Sequence, residues 1–166
     1  MNGFFNRIVT IDLIERSHRV EETPDSVLER YLGGKGLGSY LLLRDNPPGV
    51  DPFSPHNRLI FAIGCATDAQ VMGSSRYGVF TKSPLAGIYC ESYAGGRLAD
   101  ALSRTGHDAV ALVGYSPDPV CLEVSDREVK FHPVSDLWGK TTYEAESEVL
   151  RSVGVKERAN RAGCAF

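Results

Sequence analysis

Met72 to Gly87 reads MGSSRYGVFTKSPLAG, and its first half sets a glycine, two hydroxyls and a guanidinium side by side. Gly73, Ser74 and Ser75 let a backbone come close to a ligand and add hydroxyl donors, while Arg76 supplies a planar fork suited to phosphate. A second stretch, SYAGGRLADAL, ends a strand-like run on Gly95 and Gly96 and opens a helix. Free backbone N–H groups at such a turn can meet an anion. Both features have plainer explanations. Arg76 can pair with a local carboxylate, and Gly95-Gly96 can be an ordinary strand-to-helix turn, which on physics alone is the commoner case. Lys82, further along the first stretch, reads as a solvated strand-end residue. The chemistry these residue types point to is the holding of an anion.

Other chemistries find no support. LGGKGLGSY contains G-x-G but follows a helix-like segment, so it fails the context of a dinucleotide fingerprint. The sequence has no P-loop, no nucleophile elbow and no H-E-x-x-H. Cys65, Cys90, Cys121 and Cys164 are scattered without a C-x-x-C, which favours buried free thiols over zinc or iron–sulfur ligands. His107 and Asp108 are neighbours that would point apart on a strand, and so read as surface residues. Trp138 reads as a core plug. His18, His56 and His132 fall in hairpins or loops and receive no role.

The elements that must position these residues follow from pattern and punctuation. A chain of 166 residues makes one domain, and a net charge of −3 with mixed signs argues against a nucleic-acid partner. No apolar run is long enough to span a bilayer, and the N-terminus lacks a signal-like core, so a cytoplasmic location is expected. Phe4–Leu13 and His18–Glu22 predict a pair of strands. Thr23 as N-cap with Pro24 at the first helical position opens a helix carrying Leu28, Tyr31 and Leu32. Gly33-Gly34 interrupts it before a second helix with Leu37, Tyr40, Leu41 and Leu42. RLIFAIG, RYGVFTKS, GIYCESY and AVALVG predict further strands, with a helix from Gly95-Gly96 to Gly106 between the last two. VCLEVSD and EVKFHPV form a hairpin turning at Asp126-Arg127. A loop through Trp138 and an amphipathic helix with Tyr143, Val149 and Leu150 on its apolar side follow. The class is α+β, strands with three or four helices between them.

YLGGKGLGSYLL, PPGVDPFSPHNRLIFAIG, GSSRYGVFTKSPLAG, YAGGRLADAL, TGHDAVALVG and DLWGKTTYE come in an order and spacing that resemble one family. The chain resembles the N-terminal domain of the tungsten-containing aldehyde:ferredoxin oxidoreductases, from about Phe4 to Val153. The resemblance implies two β-sheets with a few flanking helices, forming a saddle for a tungsten (or molybdenum) bis-pyranopterin. It assigns pterin contact to Arg76 and to the turn of Tyr93, Gly95 and Gly96, with Gly73, Ser74 and Ser75 beside them. The Tyr93 backbone carbonyl would bind a magnesium ion bridging the pterin phosphates. Family members often carry asparagine at the position of Tyr93, a change that a backbone contact survives. IGCATDAQV stands where they usually carry a Gly-Pro-Leu-Thr-Gly run.

The whole of 1–166 is expected to be this one domain, diverging from the family after about residue 154. The four-iron cluster and the acid–base residues are expected in downstream domains or a separate catalytic chain, with ferredoxin as electron partner of the full enzyme. A homodimer is compatible with the resemblance, and no membrane or nucleic-acid partner is expected. Two functions follow: the cofactor-binding part of an enzyme oxidising aldehydes to carboxylic acids, or a free-standing non-catalytic module binding a pterin, another phosphorylated ligand or a protein.

Overall fold

Ile8 and Val9 point to opposite faces of one strand, and both are 1% exposed, so β1 (Arg7–Asp12) lies inside a sheet covered on both sides. The computed structural model describes residues 2–69, 71–152 and 164–165. β1 pairs antiparallel with β2 (Ser17–Glu22) and parallel with β6 (Ala109–Val113). β3 (Leu59–Ile63), β4 (Arg76–Lys82) and β5 (Tyr89–Gly95) extend the sheet by antiparallel pairing, giving the order β2-β1-β6-β3-β4-β5. The two edges differ. β2 reads SHRVEE, a charged and exposed strand that discourages further pairing. β5 carries Tyr89, Glu91 and Tyr93 and no lysine or proline.

One face of the sheet is closed by α1 (Asp25–Tyr31) and α2 (Gly34–Asp45) through Leu28, Leu37, Leu41 and Leu42, packed on Ile8, Ile60, Ala62 and Phe80. The close approach of α2 to the sheet depends on glycine. A Cβ at Gly38 would stand 2.2 Å from Phe80 Cδ2, and one at Gly78 would stand 2.5 Å from Phe80 Cζ. Phe80 therefore fills the space that two absent side chains leave. Thr23 does not cap α1 as expected. Its N–H bonds the Asn6 carbonyl at 2.8 Å and so continues the β1–β2 pairing, while Pro24 takes the cap position and offers its carbonyl to Val27.

The other face carries α3 (Arg97–Arg104) and a second, three-stranded sheet of β7 (Val120–Val124), β8 (Val129–Pro133) and β9 (Cys164–Ala165). Leu122 and Val124 meet Val9, Ile11, Leu102 and Val110 there. The architecture is the expected α+β arrangement of two sheets, with four α-helices among the described residues, the fourth being α4 (Thr142–Ser152). The anticipated divergence near residue 154 falls outside the described residues. Among the described residues, no helix is long and apolar enough to cross a membrane.

Several burial expectations are corrected. His107 and Asp108 are buried, at 2% and 3% exposure, because β6 begins only at Ala109 and the pair sits in the turn before it, under the N-terminal segment. Asp108 accepts the N–H groups of Phe5 at 3.1 Å and Arg7 at 3.3 Å, pinning that segment to the sheet. Burial pushes its carboxyl above the usual carboxylate range, and those N–H bonds oppose the shift. Cys65 and Cys90 are exposed, one in the turn after β3 and the other on the outer strand, whereas Cys121 is buried as expected. Trp138 is 81% exposed, following a single 3-10 turn (Ser135–Leu137), and plugs no core. Tyr143, at 82%, and Leu150 are exposed too, so the apolar side of α4 is not covered by the described residues.

Candidate functional site

The two glycine-bearing stretches, separate in sequence, meet at one corner of the sheet. The register pairs Arg76 with Gly95 at the ends of β4 and β5. Ahead of Arg76 the chain turns at Gly73, whose φ of +82° suits glycine, and Val71 O accepts both the N–H and the hydroxyl of Ser74. The Ser75 hydroxyl donates to Gly96 O at 3.0 Å and clips the turns together. Both serine protons are thus engaged within the loop, and these residues shape the corner more than they reach out of it.

Arg76 is exposed, and among the described residues no carboxylate pairs with it. The plainer explanation, a local ion pair, is not realised among the described residues. Its Nη1 lies 3.7 Å from the point where a Cβ of Gly95 would stand, and Ser75 O lies 3.1 Å from that point. A Cβ at 95 would press on the Ser75 carbonyl and meet the guanidinium at ordinary contact distance. Gly96, at φ +90°, has open space at its Cβ position and precedes α3, where no side chain caps the first turn. The uncapped start of α3 and the Arg76 side chain thus lie at neighbouring ends of β5 and β4.

Strand alternation decides where the Tyr93 carbonyl points. Ser83 N–H bonds Ile88 O at 2.8 Å, closing the β4–β5 hairpin, and the register runs unbroken from there to Arg76–Gly95. Hydrogen-bonded and non-hydrogen-bonded pairs alternate along such a ladder, so Tyr89, Glu91, Tyr93 and Gly95 turn their backbone groups away from β4. β5 is the outermost strand, which leaves the Tyr93 carbonyl on an open edge. The Tyr93 ring stands edge-on to Phe80, with centroids 6.0 Å apart, and is 49% exposed.

Lys82 is not the solvated strand end that was expected. Its Nζ donates to Val50 O at 2.6 Å and fastens the far end of the hairpin to the preceding loop. A group the sequence reading passed over lies on the α2 side of β5. Lys35 donates to Glu91 at 2.7 Å, and the Tyr89 hydroxyl reaches both Glu91 and Ser39. Its one visible signal is the period-two run Tyr89, Glu91, Tyr93. A cavity of about 340 Å³ opens behind the corner, walled by Phe4, Phe5, Ile63, Cys65, Thr67 and Asp68 among others, and contains none of the expected site residues. Thr67 connects the two places by donating its hydroxyl to Arg76 O at 3.1 Å.

A six-stranded mixed sheet that pairs Arg76 with a bare glycine turn, backed by helices and a second sheet, defines the class as an α+β domain of two sheets. Comparison with known proteins gives this class a home. The family model described as aldehyde ferredoxin oxidoreductase, N-terminal domain, matches residues 8–165, and the chain belongs to that family. It is 35% identical over 154 residues to the tungsten-containing aldehyde ferredoxin oxidoreductase of Pyrococcus furiosus, covering 93% of this chain and 26% of that one. The Thermococcus kodakarensis counterpart is 34% identical with the same coverage. The WOR-like subunit of an aliphatic sulfonate oxidoreductase from Pyrococcus furiosus is 25% identical, over 92% of this chain and 25% of that one. Among solved structures, the active-site complex BamBC of benzoyl coenzyme A reductase, in complex with 1,5-dienoyl-CoA, superposes with a TM-score of 0.88 at 31% identity, covering 92% of this chain and 23% of that one. The chain spans about a quarter of the length of the curated relatives it matches.

Proposed function

We propose that this chain is the cofactor-holding N-terminal domain of a tungsten (or molybdenum) pterin oxidoreductase that oxidises aldehydes to carboxylic acids with ferredoxin as acceptor. The observation that carries the reading is the Arg76 guanidinium, without a carboxylate partner among the described residues, lying beside the bare backbone of Gly95. The corner fits the phosphate end of a bis-pyranopterin on three counts. Arg76 offers a charge-assisted fork, Gly96 leaves open space at the backbone beside it, and the Tyr93 carbonyl on the open edge suits a hard cation such as magnesium. Bound there, the cofactor supplies the two-electron redox couple that converts an aldehyde and water to the acid.

The part of this chain is to bind and orient. Arg76 and the turn donors neutralise phosphate charge, Gly73 and Ser75 hold the loop in register, and α3 sets the far wall. The four-iron cluster and the groups that move protons during the oxidation belong, on this reading, to the remaining three-quarters of the family's length. The relatives' names, which include tungsten and ferredoxin, support the metal and the acceptor.

Arg76→Ala, placed in the assembled oxidoreductase, is expected to lower the tungsten-to-polypeptide ratio about ten- to a hundredfold at limiting cofactor, the worth of one charge-assisted contact. An exposed, unpaired arginine adds little to stability, so the thermal midpoint should stay put. Metal content by mass spectrometry decides the matter, and equal loading of variant and wild type would remove Arg76 from the site.

A further inference from the structure

We propose that Glu91 is a positioning residue for this corner: with Lys35 it ties helix α2 to the open edge of β5 and so fixes the Tyr93 carbonyl and the Gly95 backbone where a ligand meets them. The inference rests on the cofactor-site reading above. β5 has a neighbour on one side only, and by alternation Tyr89, Glu91, Tyr93 and Gly95 spend none of their backbone groups on it. The residues closest to the ligand are therefore the least anchored by the ladder.

Side chains supply the missing anchor. Lys35 Nζ donates to Glu91 Oε1 at 2.7 Å, and the Tyr89 hydroxyl donates to Glu91 Oε2 at 2.6 Å. The Tyr89 hydroxyl also lies 2.7 Å from Ser39 Oγ. Lys35 and Ser39 stand four residues apart on α2, one turn above the other on the same face. α2 is itself seated firmly, since Gly38 lets it rest directly on Phe80. The chain of contact runs from a fixed helix, through one carboxylate, to the strand that carries the ligand contacts.

The charges agree with this geometry. Lys35 holds the Glu91 carboxyl below the usual carboxylate range, helped by the hydroxyls of Tyr89 and Tyr93. The Lys35 and Glu91 side chains are 66% and 25% exposed, and ion pairs as open as this contribute little to global stability. What distinguishes the pair is its position at the root of the ligand edge.

The test is a titration of the ¹⁵N-labelled full chain with magnesium and inorganic pyrophosphate, read at the Gly95 amide. Glu91→Gln is expected to weaken the apparent Kd about five- to tenfold, while the thermal midpoint moves by no more than about 2 °C. Lys35→Met should weaken it equally, the double variant no further, and Lys35→Arg should restore wild-type affinity. Wild-type affinity in Glu91→Gln, with Arg76→Ala still failing to bind, would overturn the inference and leave the site standing. Loss of affinity in step with loss of thermal stability would overturn it as well, as would failure of Lys35→Arg to rescue. No response at Gly95 in wild type would overturn both the inference and the site.

Discussion

Phe80→Ala is expected to destabilise the domain by about 3–5 kcal/mol, the largest effect of any single truncation at the helix–sheet contact. Phe80 is fully buried, and its ring fills the space over Gly38 on α2 and Gly78 on its own strand. Neither glycine has a side chain that can relax into the hole, and the backbones around it are held by the β3–β4–β5 ladders. The void would persist, and a persistent void costs the cavity term in addition to lost transfer energy. Tyr93 would lose its edge-on partner at the same time, loosening the outer strand β5. Urea unfolding followed by circular dichroism reads the loss directly. Should the alanine variant fail to fold, Phe80→Leu is expected to fold and to lose about 1–2 kcal/mol. A change below about 0.5 kcal/mol for either would contradict the packing described.

Acid is expected to act through His107. Burial, with the nearby Arg7 guanidinium, pushes its imidazole down from 6.5 to about 4. Nδ1 lies 3.1 Å from Thr105 Oγ1, and Nε2 has no hydrogen-bond partner among the described residues. The folded state keeps this ring neutral over a range in which the unfolded chain binds a proton. The unfolded state therefore holds more protons between the two values, and stability falls as pH drops from 6.5 towards 4. The slope approaches about 1.4 kcal/mol per pH unit, and the whole window is worth about 3 kcal/mol. Asp108 works the other way: its raised carboxyl takes up a proton in the fold before it does in the unfolded chain, which offsets part of the loss at the acid end. Unfolding free energies at several pH values, for wild type and His107→Gln, separate the two. The wild-type slope between about pH 6 and 5 should vanish in the variant, and a flat wild-type profile there would contradict a buried neutral His107.

The sequence made the strands legible because each is a short apolar or alternating run closed by glycine, proline or Asx punctuation, as in Phe4–Leu13 or the hairpin at Asp126-Arg127. The glycine stops at Gly33-Gly34 and Gly106 marked helix ends for the same local reason. What stayed hidden depends on contacts between distant residues. That Arg76 sits over Gly95 follows from the β4–β5 register, and the pairing of Lys35 with Glu91 spans 56 positions. Burial of His107 and Asp108 follows from a segment about a hundred residues upstream folding over them. Exposure of Cys65, Cys90 and Trp138 reflects which surfaces the second layer leaves uncovered, and composition does not encode that. The site residues were visible as types in two stretches, while the open-edge Tyr93 carbonyl required the alternation of one particular ladder.

The measurement that bears most directly on the cofactor corner is paramagnetic broadening by manganese(II), standing in for magnesium, in the ¹⁵N-labelled full chain with inorganic pyrophosphate present. Broadening confined to Ser74–Arg76 and Tyr93–Gly96, and lost in Arg76→Ala, is the predicted result. Broadening centred on other surfaces, or unchanged when Arg76 is removed, would contradict the assignment of this corner as the phosphate-and-cation end of the cofactor site.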